Sequence, residues 1–318
     1  MWIMKEDAAK AATYKKLLYT LTRASFNKDG RKSRVPTDLQ KTTAYKLIDK
    51  TLFDEYLIAA PFRLREMHRE LFAKLPKDAD GRVLDDEKKC LESIFNYRNY
   101  FYQDKKFAYE VAKLMGMNTC VYCNRQYTMT VVDSDTGEQL VRPEFDHWFP
   151  QTDYPDMAIS YYNLIPSCYL CNSSLKHDAP MSLDKHVHPY IDRKAGFSFT
   201  YIPTSNGHAV DVKIDSHQPK SYQRKVAEML RLLKIKQIYG IHSDFELKDL
   251  LDLAEANPPD YIDVLVNDVA KDLGMNEEDA YRILFGTEQR EEDFLKRPMS
   301  KFKSDVIKKI REDFGVKK

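Results

Sequence analysis

The chain has 318 residues, 43% of them hydrophobic and 31% charged, with a formal net charge of +1. That composition excludes a disordered or low-complexity chain, and the near-neutral balance excludes nucleic-acid binding through bulk basicity, so any phosphate contact must come from local clusters. No window approaches the roughly 20 apolar residues that a membrane-spanning helix needs. The opening MWIMKEDAAKAATYKKLL meets charge too early for a secretion signal, and a cytoplasmic location is expected.

Residues 5 to 115 carry helical periodicity throughout. Glu6 to Phe26 sets Ala12, Leu17, Leu18 and Leu21 on one side with lysines opposite, and NKDGRKSRVPTD follows as a basic loop. Thr37 or Asp38 is placed to cap a helix through Lys41, Tyr45, Leu47 and Ile48. Another helix is predicted from Pro61 to Leu75, closed by PKDADGR. Asp85 is read as the cap of the next, with Leu91, Ile94, Phe95 and Phe101 on one face. Its neighbours Tyr97, Arg98, Tyr100 and Tyr102 read as an aromatic core edge in preference to a nucleic-acid contact, and Cys90 as an inert core thiol. Gly116 ends this helical block.

Gln126 to Val132 alternates as a strand does, DSDTGE is a turn, and Gln139 to Phe145 is its predicted partner. Asp146-His147 ends that strand. Asn163-Leu-Ile-Pro opens another, and Cys171 to Lys176 starts a helix. HVHPYIDRKAGFSFTYIP and HAVDVKID predict further short strands around the turn TSNGH. From Lys220 the chain returns to helix: QRKVAEMLRLLKIKQIYG, LKDLLDLAEAN, YIDVLVNDVAKDLG and EEDAYRILF, with a basic end, KRPMSKFKSDVIKKIREDFGVKK.

Four of the five cysteines form two Cys-x-x-Cys knuckles, Cys120/Cys123 and Cys168/Cys171, about forty residues apart. Scattered cysteines would suggest a disulfide framework, whereas paired knuckles suggest a reducing compartment and a metal. Two knuckles complete a closed tetrahedral site, which reads as structural zinc, with a rubredoxin-like iron site as the alternative. The ion would tie the start of the intervening segment to its end. Within that segment lie a histidine suited to act as a base near neutral pH and the oxygen donors that a hard divalent cation requires.

In this order, D-H, then N, then C-x-x-C-N-x-x-x-K, the stretch from about 116 to 190 resembles the HNH, or ββα-metal, nuclease family in its zinc-stabilised form. The flanks CVYCNRQY, DHWFPQTDYP and HVHPY are similar to HNH proteins of bacterial anti-phage defence loci, such as the nuclease subunit of the Septu system, which works beside an ATPase. The resemblance implies an α+β protein: a zinc-stabilised ββα core and adjoining strands over 116–216, between helical regions at 1–115 and 217–318. It implies that His147 activates water, that Asp146 and Asn172 hold a catalytic Mg²⁺ or Mn²⁺, and that Asn163 braces the loop behind His147. Many relatives carry histidine where this chain has Asn172, which leaves His177 as a rival ligand.

Lys176 and Arg125 are the expected contacts to substrate, with Arg224, Lys225 and the C-terminal lysines as outer phosphate contacts; His188 is a further candidate for phosphate or metal, read in preference as a histidine packing on Tyr190. The expected substrate is DNA and the expected partner a regulatory ATPase. The rival readings are a non-catalytic zinc-ribbon subunit that binds nucleic acid or an ATPase, and an RNA-directed nuclease on the same site. Asp146→Ala is expected to abolish activity while leaving the melting temperature nearly unchanged.

Overall fold

A computed structural model describes residues 2–22, 26, 35–103, 105–257 and 260–314. Most of the basic loop and the last lysines therefore lie outside the described residues.

The first helix, α1 (Ala8–Leu21), starts where Asp7 accepts a hydrogen bond from the Lys10 amide at 3.0 Å. It ends at Leu21, short of the predicted Phe26, where Thr22 turns its hydroxyl back onto the Leu18 carbonyl. The helix expected after Thr37 is broken in two. A 3₁₀ turn spans Thr37–Lys41, and Thr42, not Thr37 or Asp38, caps α2 (Thr43–Leu47). Then follow α3 (Lys50–Ile58), α4 (Pro61–Lys74), α5 (Asp85–Ile94) and α6 (Lys105–Met115). Asp85 lies inside the first turn of α5 and makes no capping bond, so its role there is to meet the helix dipole. Phe101 shares the buried face as expected but belongs to a separate π-helical turn, Asn99–Gln103. Gly116 does end α6, at φ +68°.

The strands are shorter than the alternation suggests. Gln139 to Phe145 divides into β2 (Gln139–Val141), paired with β1 (Val131–Val132), and β3 (Glu144–His147). Pro143 sits at the break, where it has no N–H to offer a ladder. β3 pairs antiparallel with β4 (Leu164–Ser167), with Asp146 opposite Ile165 and His147 opposite Leu164. The helical segment Leu170–Lys176 follows directly, wound as a π-helix. A hairpin of β5 (Phe197–Thr204) and β6 (Gly207–Ile214) comes next; His186 and His188 precede it in turns, not in a strand. The helix expected after Lys220 is interrupted: α7 (Lys220–Leu232) and α8 (Ile235–Gly240) are separated by Lys234 in a left-handed conformation. The chain closes with α9 (Glu246–Glu255), α10 (Tyr261–Asp272), α11 (Glu277–Phe285) and α12 (Ser300–Phe314). The protein is thus α+β, mixed helix with small antiparallel sheets.

These elements meet at the first knuckle. The Trp2 amide donates to the Val121 carbonyl and its indole to the Tyr122 carbonyl, at 2.8 and 2.7 Å. Val121 N–H donates to Pro166 on β4, and Tyr239 of α8 donates its hydroxyl to the Cys123 carbonyl at 2.7 Å. Asn124, buried and left-handed at φ +51°, gives its amide hydrogens to Phe294 and Arg297 carbonyls and to Thr119, while its carbonyl oxygens receive the Met299 and Lys301 amides. Val121 to Asn124 therefore recruit segments from both before and well after the knuckle.

Asn124→Ala removes the side-chain bonds and leaves buried carbonyls without donors. It is expected to cost about 2–4 kcal/mol, read as a lower urea midpoint with the metal content unchanged.

Candidate functional site

The four knuckle cysteines are all buried, and their sulfurs lie within 4.8 Å of one another. Zn–S bonds of about 2.3 Å in a tetrahedron set S···S edges of about 3.8 Å, and Cys123 and Cys168 stand 3.9 Å apart. The Arg125 amide points at Cys123 Sγ at 3.4 Å, a donor suited to a thiolate. Burial and the neighbouring thiols push Cys120 upward, so the deprotonated cluster depends on a cation for its charge. The donor set fits one soft tetrahedral ion and leaves no open position. Cys90, the fifth cysteine, is buried within α5.

Beside this cluster, β3 turns its residues two ways. Phe145 and His147 face the N-terminal helices: Phe145 meets Phe101, and the His147 ring stands edge-on to Tyr97 with centroids 4.5 Å apart. Glu144 and Asp146 face the helical segment that carries Asn172 and Lys176.

His147 Nε2 lies 2.8 Å from the Ala158 carbonyl. A carbonyl only accepts, so Nε2 carries the proton and Nδ1 keeps its lone pair. Burial lowers the His147 pKa to about 4, against the opposing pull of the Ala158 carbonyl and Asp146. The ring is therefore neutral near pH 7, with the Nδ1 lone pair unprotonated.

The loop that presents Ala158 is braced from within and without. Asn163 accepts from the Phe149 amide at 2.7 Å and donates to the Phe149 and Met157 carbonyls. Outside it, α3, α4 and α5 pack on the Pro155–Met157 turn, and His68 of α4 meets the fully buried Asp156 at 2.9 Å.

Asp146 is 2% exposed; it accepts from the Tyr122 hydroxyl at 2.5 Å and from Lys176 Nζ at 3.1 Å. Lys176, also 2% exposed, donates in addition to the His147 carbonyl at 2.7 Å. Its ammonium faces inward, toward the β3 residues. Asn172 donates to Glu144 at 2.8 Å. Two adjoining cavities of about 650 and 1100 Å³ share His147, Asn172, Gln151 and Glu92 in their walls. Asp146 lines the smaller; Arg98, Arg142 and the 62%-exposed Tyr102 line the larger. The aromatic run near α5 is thus divided, with Tyr97 and Tyr100 buried and Tyr102 at the groove.

The remaining sequence candidates lie elsewhere. His177 stands at the rim of the smaller cavity, its Nδ1 3.1 Å from Asp178. His188 is buried with its ring 4.4 Å from Trp148 and 6.2 Å from Tyr190, outside both cavity linings, and burial lowers its pKa to about 3. Arg125 reaches away from the groove to His242 at 3.1 Å and lies over the Tyr239 ring. Sequence reasoning missed Glu144, Tyr122 and the Ala158 carbonyl, and read Tyr97 as a core edge without its contact to His147. Strand alternation from Asp146 would have singled out Glu144, but no local signal marks Tyr122 or the Ala158 carbonyl.

A curated protein of Bacillus thuringiensis, "Septu protein PtuB", is 29% identical over 79 residues, covering 24% of this chain. The match spans about a quarter of that relative, 26% of its length. No family model matches the chain, and no solved structure does. No described helix is long and apolar enough to cross a membrane.

Two variants separate the cysteine cluster from the groove. Cys168→Ser is expected to lose the ion, seen as zinc content falling from about one per chain, and to melt far earlier, since structural zinc contributes on the order of 10 kcal/mol in small domains; a wild-type melt would overturn the four-sulfur account. The geometry also revises the expectation for Asp146→Ala. That change strands the Lys176 ammonium in the interior, and a drop of about 3–5 kcal/mol is expected, so Asp146→Asn is the gentler probe.

Proposed function

We propose that this protein is a metal-dependent endonuclease of the HNH type that hydrolyses phosphodiester bonds of DNA, and that it serves bacterial anti-phage defence. The observation that carries the reading is the His147 hydrogen bond to Ala158, which leaves Nδ1 its lone pair in a residue that lines an open groove together with Asp146 and Asn172. The order of strand, braced loop, strand and helical segment supports it, and so does the partial likeness to a Septu protein.

In this reading His147 Nδ1 takes a proton from water as it attacks the phosphate. Asp146 and Asn172 would supply oxygen ligands to Mg²⁺ or Mn²⁺, which when bound neutralises charge on the phosphate and the leaving oxygen. Asn163 and the Ala158 carbonyl hold the base in register, and Lys176 keeps Asp146 oriented. The three-region organisation, 1–115, 116–216 and 217–318, and an ATPase partner belong to the same proposal. A non-catalytic zinc module is the second reading. It draws on Lys176, whose ammonium already balances the Asp146 carboxylate; each carboxylate oxygen nonetheless has a second lone pair for a cation.

Plasmid nicking by zinc-loaded protein tests the proposal. Activity is expected with Mg²⁺ or Mn²⁺, none with EDTA, and a loss of about 10²–10⁴-fold in His147→Ala, with the melt retained. Inactivity on plasmid, single-stranded DNA and RNA, with and without a partner ATPase, would favour the binding module, and cleavage of RNA alone would redirect the same site.

A further inference from the structure

Glu144 and Asp146 stand two residues apart on β3 and so project from the same side of the strand. Asn172 approaches them from the π-helical segment, on the wall of the groove. Its amide nitrogen donates to Glu144 Oε2 at 2.8 Å, and the Ser173 hydroxyl donates to the same oxygen at 3.3 Å.

An ionised carboxylate only accepts hydrogen bonds, so it can face only the NH₂ end of an amide. Glu144 therefore decides which way the Asn172 side chain is turned. With the nitrogen held by Glu144, the carbonyl oxygen points to the other side, and among the described residues it receives no hydrogen bond. This matters because a hard divalent cation binds the oxygen of an amide and not its NH₂ group.

We propose that Glu144 is a positioning residue: by holding the Asn172 nitrogen it presents the Asn172 oxygen to the cation that Asp146 would share. The proposal rests on the nuclease reading and adds a residue to its machinery. Glu144 acts through Asn172, and Ser173 steadies it. Without Glu144 the amide rotates freely and offers nitrogen as readily as oxygen. Outer-shell partners of this kind typically govern metal affinity by about 10–100-fold.

Manganese binding to zinc-loaded protein, followed by the electron paramagnetic resonance of free Mn²⁺, gives a readout independent of cleavage. Wild type is expected to take up one Mn²⁺, and E144A to need about 10–100-fold more, with nicking half-saturating at a correspondingly higher concentration. E144Q is expected to recover much of the affinity, because its amide oxygen still accepts from Asn172. In an Asn172→Ala background, adding E144A is expected to change Mn²⁺ affinity no further. Equal affinity in wild type and E144A overturns the proposal while leaving the nuclease reading intact. A lowered melting temperature in E144A with unchanged Mn²⁺ affinity also overturns it, assigning Glu144 to the fold alone. No Mn²⁺ uptake by wild type removes the nuclease reading, and the proposal with it.

Discussion

Four cysteine sulfurs gathered in the interior are the constraint on which the rest of this molecule depends. Buried thiolates at such spacing repel one another unless a cation sits among them, so the knuckles can close only around an ion. Once closed, they expose a short run of backbone, Thr119 to Arg125, whose carbonyls and amides need partners. The amino-terminal Trp2, strand β4, helix α8 and the segment before α12 supply them. Tyr122, held in this run, reaches Asp146 on β3. A cysteine cluster able to hold one ion thereby sets the position of the residues proposed to act.

The second organising relation is between a side chain and a loop. His147 takes its tautomer from one carbonyl, and the loop that carries it is held by Asn163 from inside and by three helices from outside. The pairing of His68 with Asp156 ties the N-terminal helices to the same turn. Residues that look like separate helical baggage in one dimension thus hold His147 in place, and Tyr97 backs its ring. Much of the groove wall comes from the same region.

How far the sequence revealed this depends on where the information resides. The knuckles were legible because their spacing is local and their chemistry restricts them to few roles. Asp146, His147, Asn163 and Asn172 were legible as an ordered set, and the structure brings the first two beside Asn172 while Asn163 braces the loop. Strand limits were less legible, since alternation runs through Arg142 and Pro143 although the ladder cannot. For Lys176 residue type suggests contact with phosphate, but tertiary packing has buried it, whereas His188, read in preference as a packing residue, is buried beside Trp148 with Tyr190 near. The Ala158 carbonyl is backbone, common to every residue, and no pattern of side chains could point to it.

The hydrogen bonds of Asn124 have a consequence for when the molecule becomes complete. Its partners, Phe294, Arg297, Met299 and Lys301, follow it by roughly 170 positions or more. During synthesis the knuckle leaves the ribosome long before those groups exist, at about 5–20 residues per second. For many seconds the groove-forming segments are present while the shell around the metal cluster remains open. Completion of this shell waits until about 170 further residues have been made, and a chain terminated before them carries the candidate catalytic residues on an unfinished support.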